Sequence, residues 1–192
     1  VVVSTEFHGV QISLESGWIA KQAGGAVVAR AGDTVVIATV CRAKGREGID
    51  FFPLSVEYQE RFYASGAIPG GYFKREAKPA EHEILTSRLI DRPIRPLFPE
   101  GYFEEIQVIV SVLSYDKVNS PDTLAMVAAS AALTVSDAPF SGPIAGVRVG
   151  RINGQLVINP AMELRDQLEL EFIVAGTKDS IVMVEGSAKF VP

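Results

Sequence analysis

The segment from Thr123 to Val135 restricts the fold of this chain more than any other feature of its sequence. It is rich in alanine and, wound as a helix, would be apolar on nearly every side. A helix of that kind is stable only where other elements cover it. The Asn-Ser-Pro-Asp sequence at 119–122 is typical of a helix N-terminus. Asn and Ser are favoured as N-cap residues, and proline is favoured in the first helical turn. The aspartate carries a negative charge, which interacts favourably with the helix dipole. We therefore predict a buried helix here.

Short apolar runs separated by turn residues predict that much of the remaining chain forms β-strands. Gly32-Asp33 predicts a hairpin turn between strands at 24–30 and 34–40, and Asn153-Gly154 predicts a type I′ turn farther along. Pro53 favours either an edge position for the strand at 51–58 or a place where that strand begins. The other strands are predicted at 10–14, 106–113, 145–151, 156–159, 168–174 and 181–184.

A second helix is predicted to begin near Pro79 and to end near Arg92, because Pro93 lacks the backbone donor that the next turn needs. Strands before, between and after two helices indicate an α+β or mixed α/β fold. The chain has 192 residues, 47% of them hydrophobic, and we find no linker in it. We therefore predict that residues 1–192 form a single domain.

The sequence also bears on where the protein is found. No apolar run approaches the ~20 residues of a transmembrane helix, and the N-terminus has no signal-peptide pattern. Cys41 is the only cysteine, so an internal disulfide is impossible, which favours a reducing compartment. We therefore expect a cytoplasmic protein that contacts no membrane. Because Cys41 follows the apolar run 35–40, we expect a buried structural thiol rather than a nucleophile.

Positive charge is concentrated between Arg61 and Arg95, although the whole chain has a net charge of −5. This stretch holds seven basic and four acidic residues, a local charge of +3. Clustered lysine and arginine side chains are what a polyanion site requires. A solvated surface with ion pairs four residues apart on a helix would have the same composition, so charge alone leaves both interpretations open.

Residues 72–75 form the pattern that is most informative about function. The aromatic pair Tyr72-Phe73 is followed at once by Lys74-Arg75, and the glycine-rich loop 64–71 precedes all four. Exposed aromatic rings stack on bases, at ~1–3 kcal/mol per base, while neighbouring cations bind the phosphates. The combination suits a single-stranded nucleic acid better than a duplex. The alternative is that one of the two aromatic side chains packs into the core.

Arginines of the predicted second helix form the other part of the candidate site. Arg88 and Arg92 are four residues apart, and Arg95 shares their face if the turn continues past Pro93. Guanidinium groups suit phosphate oxygens, and we expect the three arginines to lack matching acids. The alternative is that Asp91 pairs with Arg88.

Other kinds of chemistry have little support in the sequence. His8 and His82 are far apart, and one cysteine gives no zinc pattern. We find neither the G-x-S-x-G turn of hydrolases nor a glycine motif for dinucleotides or ATP.

A series of short motifs extends along most of the chain: FFPL at 51–54, YQER at 58–61, GAIPG at 66–70, KRE at 74–76, LIDRPIRPLFPEG at 89–101, AM at 125–126, GPI at 142–144 and VAGT at 174–177. These motifs are similar to those of the first core domain of the polynucleotide phosphorylase family. The resemblance implies an RNase PH-like domain of the ribosomal-protein-S5-domain-2 type, with a mixed β-sheet and packed helices.

What the family does is implied by the same resemblance. Its enzyme degrades RNA from the 3′ end with inorganic phosphate, releases nucleoside diphosphates and also runs in reverse. It uses a divalent ion, usually Mg²⁺, in a second core domain that this chain does not contain, and it forms a ring-shaped homotrimer. The implied partners are therefore single-stranded RNA, copies of the same chain and components of RNA-degradation complexes. A stand-alone RNA-binding or non-catalytic ring subunit of exosome type is the alternative, and a structural globule with a salt-bridged surface is a third.

The resemblance further implies that this core has no catalytic residues and no metal ligands. The second core of the family has a serine-rich helix start and an Asp-x5-Asp-x-Lys pattern. Alignment through Val-Ala-Gly places Arg165 and Glu171 at the aspartates, Ile173 at the lysine and residues 121–123 at the serines. Asp122 would repel phosphate there, and Glu169 and Glu171 are expected on a solvated face.

The RNA contacts implied by the resemblance lie in the basic stretch. Tyr72 and Lys74 stand where the family commonly has Phe and Arg, so Lys74 would make a point-charge contact without the bidentate fork. The candidate RNA-binding residues are Tyr72, Phe73, Lys74, Arg75, Lys78, Arg88, Arg92 and Arg95.

Overall fold

The computed structural model describes residues 1–71, 76 and 78–189. The strands within them are β1 (Val2–Phe7), β2 (Val10–Ser16), β3 (Gly25–Ala31), β4 (Thr34–Ala43), β5 (Leu54–Glu60), β6 (Glu105–Ser114), β7 (Ala145–Ile152), β8 (Gln155–Ile158), β9 (Leu170–Gly176) and β10 (Ile181–Ala188). The helices are α1 (Glu81–Ile94) and α2 (Pro121–Thr134), with 3₁₀ turns at Phe62–Ser65, Arg95–Leu97 and Met162–Gln167. No helix in this part of the chain is long and apolar enough to span a membrane.

The strands form two sheets. The first has six strands in the order β1-β2-β3-β4-β6-β5, and the second has four in the order β10-β9-β7-β8. Within the first sheet β5 and β6 are parallel, with α1 between them along the chain, and the other neighbours are antiparallel. The prediction of a mixed sheet with helices is therefore confirmed, as is the edge position of β5. The separate antiparallel sheet was not predicted.

Helix α2 lies between the two sheets. It contacts β3, β4 and β6 of the first sheet and β7 of the second. Ala125, Ala128, Ala129 and Ala132 are fully buried. The buried helix that the alanine-rich sequence predicted is thus confirmed, and it forms the centre of the core.

The two predicted tight turns are also confirmed. Ala31 pairs with Thr34 across the β3–β4 hairpin, and Gly32 between them has a φ of +57°. Asn153 and Gly154 both have positive φ angles, 49° and 77°, as a type I′ turn requires.

Helix α1 extends beyond the predicted end. It continues through Pro93 to Ile94 and then tightens into the 3₁₀ turn Arg95–Leu97. Proline removes only one hydrogen bond so close to a helix end. Ile90, Pro93 and Ile94 are all buried, so packing of this face outweighs that loss.

The prediction of a buried Cys41 thiol is wrong. Cys41 is exposed, whereas Val40 next to it is buried. Side chains alternate between the two faces of a strand, and Cys41 occupies the outward face of β4. An apolar run in the sequence did not reveal which of its residues would point outwards.

Asp116 fixes the loop that leads into α2. Its Oδ1 accepts hydrogen bonds from the backbone N–H groups of Val118 and Asn119, both at 2.8 Å. Its Oδ2 accepts one from the Asn119 side chain at 2.6 Å and one from the Asp33 backbone at 3.3 Å. Partial burial raises the pKa of Asp116, but the hydrogen bonds from Asn119 and Val118 favour the charged form more strongly, and the pKa is lowered to about 2.

The low pKa of Asp116 predicts a specific pH dependence of stability. Because the pKa is lower in the folded chain than in the unfolded chain, the stabilisation is present above about pH 4 and is lost as the pH falls towards 2. We expect Asp116→Asn to have a lower free energy of unfolding than the wild type at pH 6, with the difference shrinking towards pH 2. Urea titrations at several pH values would measure it.

Asp33→Asn is the matched control, because only the backbone of Asp33 makes a hydrogen bond in the described part of the chain. This variant should follow the wild type at each pH. A difference for Asp116→Asn that stays constant down to pH 2 would contradict the prediction.

Candidate nucleic-acid interface

The central part of the predicted RNA-binding surface lies outside the described residues. Tyr72, Phe73, Lys74 and Arg75 all fall in this gap, and so their RNA contacts stay a prediction. The residues around the gap are described: the glycine-rich segment 66–71 is exposed, Glu76 is half-buried and Lys78 is exposed.

Glu76 joins the two ends of the segment that contains these four residues. Its Oε1 accepts a hydrogen bond from the Phe62 backbone N–H at 2.7 Å, and its Oε2 lies 3.2 Å from Arg61 Nη1. Arg61 in turn donates through Nη2 to Gln59 Oε1 at 2.6 Å. The backbone of Glu76 is left-handed, with a φ of +57°.

The arginines of α1 differ in how far their charges are already paired. Arg88 is exposed and makes no ion pair among the described residues. Arg92 forms an ion pair with Glu185 of β10, and both side chains are half-exposed. The expectation that the three arginines lack matching acids is therefore wrong for Arg92, because its partner lies 93 residues away in the sequence.

Arg95 is bound into the fold. Its guanidinium donates to the carbonyls of Phe52 at 3.1 Å and Leu54 at 3.0 Å. It also pairs with Asp91 at 2.9 Å, so Asp91 serves Arg95 and not Arg88. The expectation of an unmatched Arg95 is wrong as well, because the helix continues past Pro93 and brings Asp91, four residues earlier, beside Arg95. Whether Arg88, Arg92 and Arg95 contact RNA stays a prediction.

An open groove of about 1350 Å³ runs between β5, the Phe62–Ser65 turn and the start of α1. Several of its acidic side chains are engaged in hydrogen bonds: Glu83 accepts from the backbone N–H groups of Ala80 at 2.6 Å and Glu60 at 2.7 Å. Glu60 accepts from the Tyr58 hydroxyl at 2.7 Å and lies 3.2 Å from His82 Nε2. Among the described residues, the aspartate, glutamate, lysine and arginine side chains that line the groove are Glu57, Glu60, Glu76, Glu83, Asp91, Arg61, Lys78 and Arg88.

The phenol of Tyr58 stays neutral in this setting. Burial raises the pKa of Tyr58, and the neighbouring Glu60 carboxylate raises it further, because both disfavour a phenolate. Among the described lining residues, five carboxylates stand against three lysine and arginine side chains, so positive charge does not dominate the described part of the groove. Its cations Lys78 and Arg88 are exposed.

An ion-pair cluster around Arg148 contains the charged residues that align with the family's catalytic pattern, namely Asp122, Arg165 and Glu171. Arg148 of β7 is only 3% exposed, and its guanidinium binds the carboxylates of Asp122 and Glu171. Arg165 Nε lies 3.0 Å from the same Glu171. The expectation that Glu171 is solvated is wrong, because it shares a face of β9 with the buried Ile173 and binds the buried arginine. Glu169 is more exposed and pairs with Arg151 at 3.5 Å.

The cluster does not fit a magnesium ion. Mg²⁺ needs carboxylate oxygens that are free to coordinate it. Asp122 and Glu171 each bind a guanidinium, and Arg165 adds a further positive charge beside them. In the described ranges no group of three or more His, Cys, Asp or Glu side chains is placed to hold a metal.

Removal of Arg148 should destabilise the chain strongly. Arg148→Met leaves Asp122 and Glu171 with less compensation for their charges, and loss of one partner from a buried pair costs about 3–5 kcal/mol. We expect a decrease of that size in the free energy of unfolding, measured by urea titration.

Arg151→Met is the matched control for Arg148→Met. Its pair with Glu169 is partly exposed, so the decrease should stay below about 1 kcal/mol. Combination of Arg148→Met with Asp122→Asn and Glu171→Gln should restore part of the lost stability. Near-wild-type stability of Arg148→Met alone would show that the cluster contributes little.

Known protein families match almost the whole chain. The family model for the 3′ exoribonuclease family, domain 1, matches residues 10–139, and the model for domain 2 of that family matches residues 142–192. The boundary between the two matches falls between α2 and β7, where the second sheet begins.

Two polyribonucleotide nucleotidyltransferases are similar to this chain over nearly its full length. The one from Rhizobium meliloti (strain 1021) is 57% identical over 191 residues, which are 99% of this chain and 27% of that protein. The one from Rhodopseudomonas palustris (strain HaA2) is 59% identical over 188 residues, 97% of this chain and 26% of that protein. The chain thus spans about a quarter of the length of these relatives.

Solved structures share the fold. A chain of the Archaeoglobus fulgidus exosome with RNA bound to the active site matches with a TM-score of 0.72 at 19% identity, covering 94% of this chain and 78% of that one. Rice (Oryza sativa) Rrp46 matches with a TM-score of 0.74 at 15% identity, covering 94% and 81%. The predicted RNase PH-like α+β fold is confirmed. Because the two family models together match residues 10–139 and 142–192, this chain belongs to the 3′ exoribonuclease family.

Proposed function

We propose that this chain is the first core domain of a phosphorolytic 3′-to-5′ exoribonuclease that degrades RNA, including mRNA, in the cytoplasm. The observation that supports this most is the 57–59% identity to polyribonucleotide nucleotidyltransferases over 97–99% of the chain. In such a reaction inorganic phosphate attacks the terminal phosphodiester of RNA and a nucleoside diphosphate leaves. The reverse reaction extends the RNA. Phosphate is thus a co-substrate.

In this proposal, the chemical step belongs to a second core domain outside this chain. Arg165 and Ile173 stand where the family pattern has an aspartate and a lysine, and residues 121–123 lack the serines. The two nearby carboxylates, Asp122 and Glu171, are bound to Arg148 and stabilise the fold. A magnesium ion held by the second core would stabilise the negative charge that develops at the reacting phosphate.

The contribution of this chain is to bind and guide single-stranded RNA. Tyr72 and Phe73 would stack on bases while Lys74 and Arg75 bind phosphates. Lys78, just before α1, and Arg88, on α1, are exposed and would add further phosphate contacts. Arg92 would have to exchange Glu185 for a phosphate, which costs little for a half-exposed pair. Arg95 is the weakest of the RNA-binding candidates, because contact with RNA would break its bonds to two carbonyls.

The same domain would also form part of a ring. We propose a homotrimer in which this core packs beside the second core, with further contacts to components of RNA-degradation complexes. A threaded single strand would then meet the aromatic and cationic residues of three copies, which strengthens its binding by multivalency.

A second candidate function is a stand-alone, non-catalytic ring subunit of exosome type. The likeness to a chain of the archaeal exosome, with a TM-score of 0.72, favours this alternative. The two proposals differ in the gene: the enzyme requires a long reading frame beyond codon 192, whereas the subunit requires a stop soon after it.

The 192 residues alone should not catalyse phosphorolysis. Purified chain, incubated with a single-stranded oligoribonucleotide, phosphate and Mg²⁺, should release no nucleoside diphosphate above background, because the second core is missing. The full-length enzyme is the positive control. Robust turnover by the chain alone would contradict the division of labour between the two cores.

Loss of the stacking ring and its neighbouring cation should weaken RNA binding by the full-length enzyme. For Phe73→Ala with Lys74→Ala, one lost stacking contact predicts a rise of about tenfold or more in the Kd for single-stranded RNA. The slope of log affinity against log salt should become shallower by about 0.7 because one phosphate contact is lost. Fluorescence anisotropy at several salt concentrations would measure both.

Lys178→Ala provides the control, since it removes an exposed positive charge from the turn between β9 and β10. It should leave the Kd close to that of the wild type. An unchanged RNA affinity in the Phe73 and Lys74 double variant would exclude these residues from RNA binding.

A further inference from the structure

The segment from Arg61 to Glu76 is closed at its base by one acidic side chain. Glu76 receives a hydrogen bond from the Phe62 backbone at 2.7 Å and pairs with Arg61 at 3.2 Å. These contacts connect residues 14 and 15 positions apart. Arg75, the last residue of the candidate RNA-binding group, directly precedes Glu76 in the sequence.

The base of this segment is itself fixed to the six-stranded sheet. Arg61 follows β5 directly and donates to Gln59 of that strand at 2.6 Å. On the other side, the backbone N–H of Tyr115, just after β6, donates to the carbonyl of Ala64 at 2.9 Å. Glu76 therefore binds a turn that is itself hydrogen-bonded at the ends of two neighbouring strands.

The backbone of Glu76 indicates that these contacts determine its position. A φ of +57° is a left-handed conformation that a non-glycine residue adopts at a cost, and it persists where surrounding contacts compensate for that cost. The two bonds from Arg61 and Phe62 are such contacts. Glu76 is held by its side chain as well as by its neighbours in the chain.

The charge of Glu76 is unexpected beside a group that binds a polyanion. By Coulomb repulsion alone, a carboxylate next to Lys74 and Arg75 weakens RNA binding, and its removal would strengthen it. A role in holding the segment predicts the opposite sign. The two explanations can therefore be separated by the direction of a single measured change.

We propose that Glu76 and Arg61 are positioning residues for RNA binding, because they bind the chain directly after the 72–75 group to the edge of the six-stranded sheet. The positive charge of Arg61 is committed to Glu76 and Gln59, so Arg61 acts through this anchor without touching RNA. This inference rests on the proposed function, because it assumes that residues 72–75 bind RNA.

The test uses the full-length enzyme with two substitutions that the left-handed backbone accepts. Glu76→Asp keeps the charge but shortens the side chain, and Glu76→Asn removes both the charge and the reach, while Asp and Asn tolerate a positive φ well. We expect both to raise the KM for single-stranded RNA by about threefold to tenfold, as partial loss of a stacking contact would. The kcat and the KM for phosphate should not change.

Glu57→Gln is the matched control. Glu57 is an exposed acid on β5 whose side chain makes no hydrogen bond or ion pair with the residues described here. Its loss should leave the KM for RNA unchanged or lower it slightly. Repulsion alone predicts that Glu76→Asn behaves like this control and that Glu76→Asp has no effect, and either result would overturn the proposal.

Arg61→Lys is a second variant that tests the same anchor from its other side. It keeps the charge but loses the fork that reaches both Gln59 and Glu76, so the KM for RNA should rise here too. Thermal unfolding of each variant checks that the enzyme is folded. A wild-type KM for Arg61→Lys would remove Arg61 from the proposal.

Combination with Phe73→Ala distinguishes the inference from the proposed function. If Glu76 acts through residues 72–75, Glu76→Asp should raise the KM much less in the Phe73→Ala background than in the wild type. If Phe73→Ala weakens RNA binding and Glu76→Asp does not, only the positioning role fails. If Phe73→Ala itself has no effect, the proposed RNA contact fails and the positioning role fails with it.

Discussion

The close packing of α2 against both sheets is the constraint on which the rest of the structure depends. A Cβ atom added to Gly25 of β3 would lie 2.2 Å from the carbonyl oxygen of Ala132, and one added to Gly146 of β7 would lie 2.2 Å from Met126 Sδ. Both sheets therefore approach the helix at glycine positions, and alanines form much of the helix surface between them. Larger residues at these places would force the sheets apart, because interiors of this density have no spare volume.

The position of α2 brings buried charges together at its first turn. Asp122 lies at the start of the helix, and Arg148 reaches it from β7 on the second sheet. Because Arg148 is buried, it needs carboxylate partners, and Glu171 on the neighbouring strand β9 provides the other. The arrangement that joins the second sheet to the helix thus uses the same carboxylates that a metal site would require. A stabilising ion-pair cluster and a metal site exclude each other at this place.

Features that depend on neighbouring residues in the sequence could be predicted, and features that depend on distant partners could not. The Gly32-Asp33 hairpin and the Asn153-Gly154 turn follow from local backbone preferences, and the α2 segment follows from its composition. The end of α1 was wrongly predicted because burial of Ile94 outweighs the local effect of Pro93. Strand β1 was missed because nearly all of its side chains are exposed, so it has no alternating apolar pattern to detect.

The pairing of charges in the candidate site was also not predicted from the sequence. The local charge of +3 between Arg61 and Arg95 suggests more available positive charge than the described residues offer. Arg61 and Arg95 are engaged by Glu76 and Asp91, and Arg92 has Glu185. These partners differ in how readily RNA could replace them.

A phosphate could replace Glu185 at little cost, because an exposed ion pair is worth about 0–1 kcal/mol. Arg95 differs, since it also donates to the Phe52 and Leu54 carbonyls, and unsatisfied buried acceptors cost about 1–3 kcal/mol each. The cations best placed to meet RNA on α1 and just before it are therefore Arg88 and Lys78, which are exposed. Both side chains line the same groove as Glu76, so the two exposed cations share one surface with the proposed anchor.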